Sequence, residues 1–206
     1  MSLNVWAFTA FALPLVATPG ASTAVVLRNS LAGGTRSGIA TAAGANAGSV
    51  LYGLLTAVGL SAALQRWPLV WAALRIGGAA YLAWLGLRSL QRAATYVQRA
   101  AAPFGAEPPP PFFRSVREGF VTNVLNPSIA TFYLLIVPQF IPRGVPFLPS
   151  ALVLTAIHVS LAVAWHVTWA AAGGSLSATL SRTRPRRVLE AISGMALLAL
   201  ALKLAI

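Results

Sequence analysis

The sequence has no cysteine and no aspartate, and only 9% of its 206 residues are charged. The lack of cysteine excludes disulfides and thiolate metal ligands. A soluble domain carries about 25% charged residues, so this chain has too few charges to cover a water-facing surface. Because 57% of its residues are hydrophobic, we predict an all-α integral membrane protein whose main solvent is lipid.

Acidic residues are scarce: three Glu stand against fifteen Lys and Arg, which gives a net charge of +12. Such a charge indicates nucleic-acid binding when the basic residues form one patch or stripe. Here the Arg residues lie between apolar runs, which is typical of the cytoplasmic loops of membrane proteins. We therefore expect membrane lipid as a partner, and no nucleic acid.

Six apolar stretches approach or exceed the roughly 20 residues that a helix needs to cross a bilayer. They cover residues 3–27, 38–63, 69–90, 117–139, 147–173 and 186–206. A proline-rich segment separates the third stretch from the fourth, and its consecutive prolines cannot continue a helix. We interpret residues 1–206 as one membrane domain, with a three-helix repeat (1–90), a cytoplasmic linker (91–116) and a second three-helix repeat (117–206).

The basic residues are distributed unevenly between the two sides of the membrane. Eleven fall in the segments after helices 1, 3 and 5, and three fall on the opposite side. The positive-inside rule places the eleven in the cytoplasm and both termini outside a bacterial cytoplasmic membrane. In this interpretation Arg28 lies in the first cytoplasmic loop, and Glu118 lies at the start of helix 4, where the helix dipole stabilises a carboxylate.

An odd number of helices in each half makes the two halves inverted repeats if they are alike, which is a common transporter plan. Helix 1 is interrupted at Pro19-Gly20 and helix 4 at Asn126-Pro127. Matching interruptions indicate a substrate site near the middle of the membrane, because proline frees backbone groups that a ligand can satisfy. The alternative is that each proline is a packing kink.

Three further polar side chains are candidates for the same site. Asn123 shares a helix face with Asn126, and amides suit a zwitterionic ligand because they offer both donors and acceptors. Asn46 and Ser49 in helix 2 could project into the same cavity. Hydrogen bonding between helices is the alternative role for each.

Arg75 and His158 are ionisable candidates for a functional role inside predicted spans. Arg75 in helix 3 either binds a carboxylate or extends outward to the membrane interface. His158, near the middle of helix 5, either relays protons or donates to a backbone carbonyl. No acidic residue lies near the centre of a span.

The sequence contains none of the motifs that are typical of soluble enzymes. There is no acid pair, no suitable Ser/His/Asp set and no nucleotide-binding loop. We therefore predict that the protein is not an enzyme, uses no cofactor and has no metal site.

Three stretches together resemble the LysE/RhtB family of amino-acid exporters. They are Thr18-Pro19-Gly20 followed by VVLRNSLAGGTRSGIATAAGANAGSVLYGLLTAVGL, RIGGAAYLAWLGLRSL in helix 3, and GFVTNVLNPSIATFYLLIVPQF in helix 4. The resemblance covers nearly the whole chain. It implies a six-helix secondary carrier that exports amino acids or related small zwitterionic metabolites against protons.

The chain departs from that family's pattern at three positions. Ala21 stands where the family usually has proline, Ser49 where it often has an acid, and Ser128 where it typically has lysine. The loss of an acid together with a base is the expected paired change, because an unpartnered buried charge is costly. Ser49 and Ser128 are therefore candidate substrate-site residues alongside Pro19 and Asn126.

Two other functions are open from the residues. One is a metal or inorganic-ion exporter on a related scaffold, although two His without Cys or Asp make a poor ligand set. The other is a non-transport membrane assembly protein, which would have no cavity between the two helix breaks. Association into a homo-oligomer is left open.

Overall fold

The computed structural model describes residues 3–59, 68–98, 111–179 and 183–205. Within these ranges every regular element is helical, as predicted. The α-helices are α1 Val5–Ala17, α2 Ala21–Ala57, α3 Pro68–Gln98, α4 Phe112–Val124, α5 Pro127–Thr131, α6 Phe147–Thr179 and α7 Thr183–Ala205. A π-helical turn, Phe132–Ile136, and a 3₁₀ turn, Val137–Phe140, follow α5 directly.

The predicted break in the first span lies between α1 and α2, whose axes differ by 49°. Thr18 closes α1 because its backbone N–H and its hydroxyl both donate to the Pro14 carbonyl, at 3.1 and 2.8 Å. Thr18 is itself extended, as the residue before a proline prefers to be. Pro19 therefore stops α1, and α2 begins after Gly20.

The second predicted break separates α4 from α5, with a bend of 57°. Asn126 caps α5, since its side-chain oxygen accepts the Ser128 N–H at 3.0 Å. Pro127 occupies the first turn, where its missing N–H has no intrahelical acceptor to lose. Both helix interruptions predicted from the sequence are thus confirmed.

Helix α2 turns back on itself at Gly33-Gly34. Gly34 has a φ of 75°, which favours glycine, and neither glycine is helical. Asn29 donates to the Thr41 hydroxyl at 2.8 Å across this turn, so the segments 21–32 and 35–57 run side by side in opposite directions. We call them α2a and α2b.

The end predicted for the first apolar stretch was wrong. Hydropathy ended it at residue 27 because Arg28 follows, but α2a continues to residue 32 and Arg28 is buried within it. A helix keeps its regular geometry past a charged residue if that residue finds a partner.

Helical structure extends into both ends of the predicted linker 91–116. Its residues 91–98 belong to α3, and its residues 112–116 belong to α4. Hydropathy falls where Arg92 and Arg114 appear, yet arginine and alanine are good helix formers and both helices extend past the apolar run. The prolines 108–110 lie outside the described residues, and the division into two repeats stays a prediction.

Glycine brings α2b and α4 into backbone contact. A Cβ at Gly44 would lie 1.9 Å from the Val116 carbonyl oxygen, and a Cβ at Gly119 would lie 2.0 Å from the Thr41 carbonyl oxygen. Only a residue without a side chain fits at either position. Gly44 and Gly119 are therefore packing residues, and the crossing places the inner faces of the two helices beside each other.

The other helices complete the packing around α2. On α6, Ala170 lies beside Gly38 of α2b, and Thr155 fills the space left by Gly53. Helix α3 packs on α7, where Gly86 and Gly194 face each other. An apolar cluster beneath α1 includes Phe8, Phe132, Tyr133 and Leu154, all fully buried.

The count of membrane spans is only partly established by these helices. Among the described residues, the stretch Phe147–Ser175 of α6 is long and apolar enough to cross a bilayer alone. The bent pairs α1–α2 and α4–α5 with its following turns each meet the same criterion together. These described helices therefore supply one to three candidate spans, and six spans stay a prediction.

The α2b–α4 crossing predicts that Gly119→Ala destabilises the protein. The added methyl group would overlap a backbone oxygen, and overpacking of this kind costs about 1–3 kcal/mol. The thermal unfolding midpoint of the purified protein in detergent should fall accordingly. Gly77→Ala is the matched control, because the nearest atom to its new Cβ is 3.8 Å away. Equal midpoints for the two variants would contradict this account of the crossing.

Candidate functional site

The two helix breaks line one cavity of about 400 Å³. Its volume lies within the range of small-molecule sites, about 300–1,000 Å³. Helices α1, α2, α4, α5, α6, α3 and α7 all contribute side chains to its wall. The cavity therefore lies at the centre of the helix bundle.

The break between α1 and α2 presents two opposite helix ends to this cavity. Gly20 precedes α2 and has no side chain to cap it, and the first intrahelical bond runs from the Ala24 N–H to the Gly20 carbonyl. The N–H groups at residues 21–23 thus have no intrahelical acceptor, and these residues line the cavity. Beside them lie Leu15 and Val16 of the last turn of α1, whose helix end carries partial negative charge.

At the break between α4 and α5, the start of α5 is already capped by a side chain of the break itself. The Asn126 side chain occupies the Ser128 N–H, and Pro127 has none, so this helix start offers fewer free donors than that of α2. Asn126 and Ser128 both line the cavity. The two breaks therefore differ in what they offer to an anion.

Asn123 joins three helices in the cavity wall. Its amide nitrogen lies 3.2 Å from the Ser49 hydroxyl of α2b and 3.5 Å from the Ser22 hydroxyl of α2a. Its oxygen lies against Gly48, which leaves space for it. Asn123 is 1% exposed, so its rotamer is determined by these partners.

Two histidines of α6 face the cavity, and each has a neighbour at its Nδ1 atom. The Tyr133 hydroxyl lies 2.9 Å from Nδ1 of His158, and the Asn46 amide nitrogen lies 3.2 Å from Nδ1 of His166. His158 lines the cavity together with Ser49, and its hydroxyl neighbour Tyr133 lies behind the lining residues.

Most of the predicted site residues come together in this cavity. The residues that line it are Pro19, Gly20, Ser49, Asn123, Asn126, Ser128 and His158. Asn46 lies behind the wall as the partner of His166, and Pro127 sits between two lining residues. The Arg75 side chain lies outside the described part of the chain, so its predicted role is untested.

The described lining contains no Asp, Glu, Lys or Arg side chain. Its polar groups are hydroxyls, amides, imidazoles and backbone N–H groups, and its apolar groups include Leu82, Ile129 and Leu200. Among the described residues, no three His or acidic side chains gather as metal ligands do. Such a wall suits a small solute that carries balanced charges and an apolar group.

A buried ion pair near the cavity was not predicted. Arg28 of α2a pairs with Glu118 of α4, and the two residues are 2% and 4% exposed. The assignment of Arg28 to a loop was wrong, and so was that of Glu118 to a helix start, because α4 begins at Phe112. One feature of the sequence could have indicated this pair. The chain has three Glu, so a buried Arg has few possible partners.

Comparison with known proteins gives several relatives. The chain is 25% identical over 204 residues to the uncharacterized membrane protein YrhP of Bacillus subtilis, covering 97% of each chain. It is 30% identical over 144 residues to the leucine efflux protein of Salmonella typhimurium, covering 70% of this chain and 66% of that one. It is 25% identical over 192 residues to the membrane protein PA4757 of Pseudomonas aeruginosa, covering 93% and 89%. No solved structure matches.

The family profile described as LysE type translocator matches residues 13–206. The match includes both helix breaks, all seven predicted site residues that line the cavity, and α6 and α7 at the end of the chain. It confirms the resemblance noted in the sequence, and it makes the protein a membrane translocator and not an enzyme. The chain belongs to the LysE type translocator family.

Proposed function

We propose that this protein exports a neutral amino acid with an apolar side chain across the bacterial cytoplasmic membrane. The observation that carries the proposal is the cavity between the two helix breaks, whose described lining has no charged side chain. A cationic or anionic substrate would lose its hydration there without gaining a counter-charge. The relatives named leucine efflux protein support the same class of substrate.

The break at Pro19 has the two electrostatic ends that a zwitterion requires. The free N–H groups at the start of α2 would receive the carboxylate, as helix starts do in other transporters. The last carbonyls of α1, next to them in the chain, would accept from the ammonium group. Leu82, Ile129 and Leu200 would surround the apolar side chain.

The proposed architecture is six spans in two inverted triplets. The first triplet would comprise α1 with α2a, then α2b, then α3; the second would comprise α4 with α5, then α6, then α7. Gly86 lies against the Gly194 carbonyl and Leu198, and Gly194 lies against the Gly86 carbonyl and Leu90. This reciprocity supports a two-fold relation between α3 and α7.

The sequence numbering supports the same relation. The pairs Gly86 and Gly194, Leu90 and Leu198, and Pro19 and Pro127 are each separated by 108 positions. One constant offset thus relates a helix break and a helix contact in the first half to their counterparts in the second. Both termini would then lie outside the cytoplasm, as the basic residues indicate.

Proton coupling would use His158. It is a titratable side chain in the cavity wall, and its Nδ1 has a hydroxyl partner in Tyr133 that can donate or accept. With a proton on both ring nitrogens, Nδ1 of His158 would donate to the Tyr133 hydroxyl. Because His158 itself lines the cavity, its protonation would act directly at the proposed substrate site.

The substrate class is tested with purified protein in liposomes. Liposomes loaded with labelled leucine should lose it faster than protein-free liposomes, whereas loss of labelled lysine should not exceed the protein-free rate. The physical reason is that the lysine side chain brings a charge that the described wall does not balance. Equal rates for both amino acids would refute a neutral-substrate cavity, and no efflux of any amino acid would refute the function.

The second helix break is tested by Asn126→Ala. The variant removes the cap of α5, which is worth about 0.5–2 kcal/mol, and with it a polar group of the cavity. Leucine efflux should fall about fivefold or more. Asn4→Ala is the matched control, because Asn4 caps α1 through an equivalent bond to the Ala7 N–H at 2.9 Å but does not line the cavity. Equal losses in the two variants would indicate a purely structural role.

The coupling role is tested by His158→Gln. This variant should retain exchange of internal for external leucine, because exchange needs no net proton movement, but should lose the acceleration that an imposed proton gradient gives to net efflux. His166→Gln is the comparison variant, since His166 is also in the wall and lacks a hydroxyl partner among the described contacts. A His158→Gln variant that still responds fully to the gradient would exclude His158 as the coupling group.

A further inference from the structure

The Arg28–Glu118 ion pair has no part in the function proposed above. It lies at the meeting point of three helix segments. Glu118 of α4 accepts from Arg28 and from Asn29 of α2a, the latter at 3.1 Å. Asn29 in turn accepts from Arg28 at 2.7 Å and donates to Thr41 of α2b. None of the side-chain nitrogen or oxygen atoms of this group is among the buried atoms without a hydrogen-bond partner, as those of an isolated buried charge would be.

The ion pair lies at one end of the cavity. On α2a, Thr23 lines the cavity and Arg28 is five residues further along; on α4, Asn123 lines it and Glu118 is five residues away. Five helical residues span about 7.5 Å. Both helices thus lead from the cavity wall to the ion pair, which joins them about one and a half turns beyond it.

The contacts around the ion pair close this end of the bundle. Next to it, the Ser37 and Ser115 hydroxyls lie 2.8 Å apart and again join α2b to α4. Ser115 and Ser37 are 0% and 5% exposed, so the helices pack without a water-filled passage between them at this level. These contacts fill the space between α2 and α4 on the side of the Gly33-Gly34 turn.

We propose that the Arg28–Glu118 pair is a latch that closes the cavity on the side of the Gly33-Gly34 turn and opens to admit substrate. The pair joins α2a, in the first half of the chain, to α4, in the second half, so separating it frees α2a to move away from α4 at this end. The glycine turn provides a hinge for α2a, since Gly34 has open space around it and no side chain to hinder rotation.

The test uses the absence of cysteine from the chain. Ser22→Cys places one thiol in the buried cavity wall, where Ser22 is 8% exposed. A membrane-impermeant maleimide is then added to vesicles of either orientation, and the rate of labelling reports access to the cavity from each side. This measurement does not depend on the identity of the substrate or on transport.

The informative variant is the double substitution Arg28→Gln with Glu118→Gln. It removes the latch without leaving one buried charge unpaired, which is what makes single substitutions prone to misfold. We expect labelling at Ser22→Cys to rise about tenfold from the side of the glycine turn, equivalent to about 1.4 kcal/mol in the opening equilibrium, and to change little from the other side. Arg114→Gln should have a small effect, because Arg114 is 36% exposed and leaves the pair itself intact.

A second thiol position separates opening from general loosening. Ser150→Cys lies on α6, is 5% exposed and does not line the cavity, so its labelling should not respond to the double substitution. A double variant that elutes as a folded protein but labels at the parental rate overturns the proposal. So does a rise that is equal at both thiols or equal from both sides.

Discussion

The structure depends on the rule that a backbone N–H or carbonyl in a bilayer must find its partner within the protein or in a polar cavity. Almost all described helices satisfy this rule through their own hydrogen bonds. The two breaks at Pro19 and Pro127 do not, because each proline ends one helix and begins another within a predicted span. Both breaks lie at one central cavity. There, polar side chains and a bound solute can form hydrogen bonds with the backbone groups that the breaks leave without helical partners.

The breaks can meet only because the helices beside them approach closely. Gly44 and Gly119 let the backbones of α2b and α4 touch, which brings Asn123 into reach of Ser49 and Ser22. The same crossing brings Glu118 to Arg28. A polar wall and a buried ion pair are therefore two consequences of one close contact between two helices.

Charge is separated from the cavity in this arrangement. The buried charges of Arg28 and Glu118 neutralise each other outside it, and removal of either partner would cost about 3–5 kcal/mol. The described cavity wall offers only neutral groups and helix ends. A neutral wall does not hold an ion strongly, so it suits the proposed export of a zwitterion, which must be released as readily as it is taken up.

The sequence by itself determined the helical class, the membrane setting, the family resemblance and both breaks. These follow from the composition, from the lengths of the apolar runs and from proline, which interrupts a helix through its effect on neighbouring residues. All three are local properties of the sequence. Seven of the ten predicted site residues line the cavity, because they lie at the breaks or on the faces turned towards them. Only the tertiary structure decided that Arg28 is buried, that Asn46 supports His166 from behind the wall, and that Glu118 pairs across the two halves. Those partners are 90 and 120 residues apart in the chain, and their meeting depends on helix crossings that no local pattern encodes.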